Sequence, residues 1–230
     1  MSYGAAMTQH FTGYPTEAMP LLAEIGSGDR DRFRALRDEY NTQILDPTRD
    51  LVRDLAGPLQ QISPGINAVP AVNGSISPIN NDARFHAVPP YKDYVLLRFW
   101  EGEDKANSPM LFLRIAPDGI GFGAGWRFAG NDVERYRRAV TGPAGDGLAE
   151  ILAGLTGRVH GEVIGDQLKR VPAGHASDHR HAALLRRKQL GVTWTEHVPK
   201  SFHTARFGPW CARRLTIAGD LHRWLRDNVR

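Results

Sequence analysis

From Tyr94 to Trp126 the chain reads as a small β-sheet, and this constrains the fold more than any other stretch. Tyr94 to Trp100 (Tyr-Val-Leu-Leu-Arg-Phe-Trp) is apolar on both of the faces a strand presents, as expected of a central strand. Met110 to Ile115 and Ile120 to Trp126 flank Pro117-Asp118-Gly119, a tight-turn sequence, and so predict a hairpin. In its second arm Gly119, Gly121, Gly123 and Gly125 alternate with Ile120, Phe122, Ala124 and Trp126. Successive residues of a strand point to opposite faces, so one face is bare main chain and the other is apolar. Glycine inside a strand marks close approach by another group. Either a neighbouring aromatic or helix lies flat on the bare face, or that face is the floor of a ligand site. The spacing is not the G-x-G-x-x-G that joins a strand to a helix, so it is no dinucleotide fingerprint.

Helical periodicity brackets this sheet. Ser27 and Asp29 are candidate caps for a helix whose core stripe is Phe33, Leu36, Tyr40 and Ile44. Asp46-Pro47 predicts a restart, with Leu51, Val52, Leu55, Leu59 and Ile62 as the next stripe. Pro58 lies inside that stripe and is expected to kink or shorten the helix. Residues 63–90 are rich in Pro, Gly, Asn and Ser, with one short strand expected near Asn73 to Ile79. Further on, Asn131 and Glu134 form a capping-box sequence for a helix through Val140, and a short helix follows over Leu148 to Leu155. Strands are expected at Arg158 to Ile164 and Val192 to Thr195. Between them, Ser177 or Asp178 caps a helix ending near Gln189. A terminal helix runs from about Ala212, with Leu215, Leu221, Trp224 and Leu225 on its apolar side.

These elements predict a single α+β domain over residues 1–230, a mostly antiparallel twisted sheet covered by N- and C-terminal helices, with residues 1–15 as a flexible arm. At 230 residues the chain is long enough for a core without staples, and its single cysteine, Cys211, excludes an intramolecular disulfide. A cytoplasmic compartment is the expectation. The first residues carry no secretory pattern, and no run approaches the roughly 20 apolar residues of a membrane span.

The segment Asn81 to Lys92 places Asp82, Arg84, His86, Tyr91 and Lys92 close together, stiffened by Pro89-Pro90, just before the central strand. Its Asp82, Arg84-Phe85 and Pro90-Tyr91-Lys92, with Phe33, Gly74-Ser75-Ile76, Ile79, Gly123-Ala124-Gly125, Leu168-Lys169-Arg170, Pro172 and Gly174, make the chain resemble an uncharacterised bacterial family, domain of unknown function 2461. The resemblance spans nearly the whole chain and is most specific over residues 74–92. This chain departs from the family pattern at Pro78 and Asn81, where arginines are usual, and over His86 to Pro89 in place of Ser-x-Asp-Lys. Either an anion bound by that loop differs here, or the missing charges were structural ion pairs that proline rigidity replaces.

The residues themselves suggest a cleft for a small anionic ligand, bearing phosphate or carboxylate. Arg84, Tyr91, Lys92, Lys169 and Arg170 would line it beside Gly121, Gly123 and Gly125, and Asp82 would orient Arg84. If chemistry follows binding, Asp82 or His86 carries the proton. The structural alternative is an Asp–Arg pair that fixes the loop, with Tyr91 and Lys92 packing against the fold. His175, Asp178, His179 and His181 lack zinc spacing, so no metal site is expected, and no cofactor is named. Cys211 reads as a small buried hydrophobe rather than a nucleophile. The arginine-rich C-terminal helix offers the second reading, a nucleic-acid-binding module; a ligand-free interaction domain is the third.

Overall fold

The computed structural model describes residues 10–81 and 89–230. Six antiparallel strands form one sheet: β1 (Ile66–Asn67), β2 (Val95–Glu101), β3 (Met110–Ala116), β4 (Gly119–Arg127), β5 (Glu162–Ile164) and β6 (Gln189–Glu196). Their order is β1-β2-β3-β4-β6-β5. The β3–β4 hairpin is in the expected register, with Ala116 opposite Gly119 and Phe112 opposite Gly123. This is the single-domain α+β architecture that the periodicities predict.

Eight α-helices accompany the described sheet: α1 (Ala18–Ser27), α2 (Arg30–Ala35), α3 (Arg37–Tyr40), α4 (Asp46–Ile62), α5 (Asp132–Thr141), α6 (Ala144–Val159), α7 (Ala182–Leu185) and α8 (Phe207–Val229). Helix α8 packs on β3 and β4, and α4 packs on α8. Seven of the buried positions of α8 (Phe207, Cys211, Leu215, Ala218, Leu221, Leu225 and Val229) recur every three or four residues. That spacing gives a continuous apolar stripe, longer than its four most obvious members suggest. On the sheet side it meets Ile120, Phe122 and Ala124, all fully buried.

Several local expectations are corrected. Asp29 does cap a helix, accepting from Arg32 N at 2.8 Å. Asp46-Pro47 does not restart one from a loop: a π-helical turn, Asn41–Leu45, leads without a break into α4. Pro58 is carried inside α4, which continues to Ile62. Asn131 makes no capping bond; instead Asp132 accepts from Ala129 N, so the loop is closed one residue further on. Residues 158 and 159 finish α6, whose C-cap His160 turns left-handed at φ 51°, leaving only Glu162–Ile164 as strand. The helix expected up to Gln189 shrinks to α7, because β6 claims Gln189 as a partner of Arg127.

The expected free arm is partly structural. Residues 1–9 lie outside the described residues, but Phe11 and Tyr14 are buried, and Tyr14 stacks on Phe202 at 4.8 Å. The Tyr14 hydroxyl lies 2.8 Å from Thr48 Oγ1, which itself donates to Ile44 O at 2.6 Å. Aromatic residues at 11 and 14 supply the apolar surface that fixes this segment against α4 and α8.

Candidate functional site

The glycine strip resolves first. An added Cβ at Gly123 would fall 2.2 Å from the Phe112 ring and 2.2 Å from Val192 O, so an aromatic lies over this bare main chain. Gly125 sits opposite Gly191, with only 2.8 Å from its Cβ position to the facing Cα. At Gly121 the space is bounded by Arg114 Cβ at 3.3 Å. Close packing therefore accounts for Gly123 and Gly125, and the strip is not an open ligand floor.

The expected lining residues do not converge. Lys169 and Arg170 are exposed in the segment after β5, at the far edge of the sheet from β2. The strand order puts four inter-strand steps between β2 and β5, roughly 19 Å. The separation follows from topology, since β6 inserts between β4 and β5. Tyr91 is a core residue, its ring 4.2 Å from that of Phe33. Asp82, Arg84 and His86 lie outside the described residues. The ends of their loop are pinned together: Asn81 Nδ2 donates to Pro89 O at 2.8 Å, and Asn81 N donates to Pro90 O at 2.9 Å. Asn81 thus closes the ends of the loop through both its side chain and its main chain.

Beside that closure the structure gathers a different set of cations. Residues 75–77 run along the outer edge of β2, with Arg98 N donating to Ser75 O and Ser77 N donating to Leu96 O. Lys92 Nζ donates to the carbonyls of Pro78 and Asn80, and Lys105 Nζ to those of Asn73 and Gly74. The two ammonium groups thus pin opposite ends of one edge segment. Arg98 lies between them. In β2 its neighbours Leu97 and Phe99 are fully buried toward α8, so Arg98 projects from the other face. Desolvation lowers the pKa of both lysines, and the charge of Arg98 lowers each further. Two polar groups in this cluster, Arg98 Nε and Ser77 Oγ, are buried and have no hydrogen-bond partner among the described residues. Trp100 lies under Lys105, its ring centroid 5.0 Å from Nζ, and Phe112 pairs with Arg98 in register.

Like charges held together without a carboxylate partner among the described residues are unfavourable until an anion joins them. Unpaired buried donors carry a similar cost. Arg98, Lys105 and Ser77 are thus site candidates that sequence reasoning missed, and only Lys92 was found. The usable signal was Arg98 itself, the one charge in the apolar run Val95 to Trp100.

Other constellations are structural. His181 Nε2 and Arg180 Nη2 both reach Asp146, at 2.9 and 2.8 Å, while His179 Nδ1 accepts from His181 N. Among the described residues no group of three His, Cys, Asp or Glu side chains is placed to hold a metal ion. Cys211 is fully buried, and burial pushes its thiol pKa well up. On α8, Arg214, Arg223 and Arg226 bond Glu196, Asp220 and Asp227, and Arg230 lies 3.9 Å from Glu101. No helix of the described residues is long and apolar enough to cross a membrane.

Neither the curated proteins nor the solved structures contain a match to this chain. One family model does match, over residues 24–224, which takes in α2 through most of α8 and every strand. The chain therefore belongs to the family of conserved hypothetical proteins designated DUF2461.

Proposed function

We infer that this protein is a cytoplasmic binder of a small anionic molecule, bearing phosphate or carboxylate, held at the edge of β2. Lys92, Arg98, Lys105 and Ser77 are the donors. The observation that carries this reading is the pair of buried groups without a partner among the described residues, Arg98 Nε and Ser77 Oγ, between two lysines whose pKa desolvation and Arg98 both lower. A planar guanidinium suits the oxygens of either head group, and the ammonium groups supply point charges on each side. Trp100 and Phe112 offer an apolar wall for the rest of the ligand. Binding is the activity proposed.

Isothermal titration with a panel of phosphate- and carboxylate-bearing metabolites tests this directly. A ligand from the panel should bind wild type and lose at least about tenfold in affinity, roughly 1.4 kcal/mol, in Arg98→Met and in Lys105→Ala. Equal binding by both variants, with folding verified by circular dichroism, would remove the site. The nucleic-acid reading has less support, because most arginines of α8 are already neutralised by carboxylates. Binding of an oligonucleotide that falls steeply with salt and persists in Arg98→Met would favour it instead.

A further inference from the structure

On the opposite side of the sheet, where α4 packs on α8, lies a cleft of about 1000 Å³. We propose that this cleft binds a second kind of ligand, a small amphiphile with an anionic head and an apolar body. The floor is Phe11, Pro58, Ile62, Pro209 and Ala212, none of which offers a side-chain polar atom. Around it stand Arg53, Arg213 and Arg223 against a single carboxylate, Asp54. That carboxylate is occupied, accepting from Phe11 N at 3.0 Å and lying 3.1 Å from the His10 ring. Arg53 bonds Asp50, and Arg223 bonds Asp220 and the Ile62 carbonyl. Arg213 is exposed and makes no ion pair among the described residues. Two of the three arginines thus already have carboxylate partners, and Arg213 is the guanidinium of the wall left for a head group.

Gly208 adds an independent observation. It lines the cleft, yet an added Cβ would meet nothing closer than Leu51 at 3.7 Å, an ordinary contact. Packing therefore does not demand glycine there, and its absent side chain leaves the space open. A bare inorganic anion is far too small to fill such a volume or to displace water from its apolar floor, whereas ligands with a substantial body occupy clefts of this size. An uncharged hydrocarbon would leave Arg213 without a partner. Only a molecule with both parts satisfies both surfaces.

The test is calorimetric titration with dodecanoate below its micelle concentration, alongside dodecanol and inorganic phosphate. Dodecanoate should bind saturably, one molecule per chain, and both comparison compounds at least about tenfold more weakly. Arg213→Ala should weaken dodecanoate by a similar factor. Thr216→Trp, introducing bulk from an exposed position on the rim, should block it. Arg98→Met, on the other side of the sheet, should leave it unchanged, which separates this site from the anion site at β2. Absence of dodecanoate binding, dodecanol binding as tightly, or binding indifferent to both Arg213→Ala and Thr216→Trp would overturn the proposal.

Discussion

His222 Nε2 lies 2.9 Å from Oε2 of Glu101, and neither side chain reaches solvent appreciably. The pair ties α8 to the end of β2, with Arg226 and Ser63 close by and Arg226 Nη1 donating to Ser63 Oγ at 2.7 Å. Burial alone would raise the Glu101 pKa, but hydrogen bonds from His222 and Ser63, with the charges of His222 and Arg226, outweigh it and hold the carboxyl below its ordinary 4.5. A buried pair of this kind fixes the register of two elements more surely than it adds stability.

A depressed carboxyl stabilises the fold above its unfolded value and loses that contribution as pH falls through its folded value. Glu101→Gln should therefore cost about 2 kcal/mol at pH 7. Its deficit relative to wild type should narrow as pH drops below 4.5. Urea denaturation at a series of pH values measures this, and a deficit independent of pH would contradict the assignment.

The cation cluster at β2 should trade stability for binding. Arg98→Met removes a charge that repels Lys92 and Lys105 and a buried donor without an acceptor among the described residues. In buffer free of phosphate and carboxylate the variant should gain about 1 kcal/mol while losing the anion. A loss of stability in the same buffer would show that Arg98 is a structural residue.

Close approach at the glycine strip predicts a cost for the smallest side chain. Gly123→Ala should destabilise by about 1–3 kcal/mol, since its Cβ meets both the Phe112 ring and the Val192 carbonyl. Adding Phe112→Ala relieves only the first contact, so thermal melts of the double variant should show incomplete recovery.

The N-terminal anchor is separable into two contributions. Tyr14→Phe loses one buried hydrogen bond and should cost about 1 kcal/mol, because Thr48 keeps its bond to Ile44 O. Phe11→Ala leaves a cavity against Phe207 and should cost about 3–5 kcal/mol. Similar values for the two variants in chemical denaturation would refute this division.

Cys211 should resist thiol reagents in the native protein and react fully on unfolding, since burial both hides the sulfur and suppresses the thiolate. Rapid native-state labelling would show that α8 opens from the sheet.

Local chemistry in the sequence determined the elements that depend on neighbours along the chain. The β3–β4 hairpin follows from Pro117-Asp118-Gly119 between two apolar runs, the cap at Asp29 from a short carboxylate, and the stripe of α4 from its periodicity. The bare glycine face was legible as well, although only the register with β3 showed that Phe112 covers it. Which charges share a site was a matter for the tertiary structure. Lys169 and Arg170 follow β5, and the insertion of β6 beside β4 carries them to the far edge. Lys92 and Lys105, on either side of β2 in the chain, reach the same edge segment because residues 73–80 run along β2. Strand order is set by the burial of whole faces rather than by any local motif, so no reading of spacing within one segment yields it.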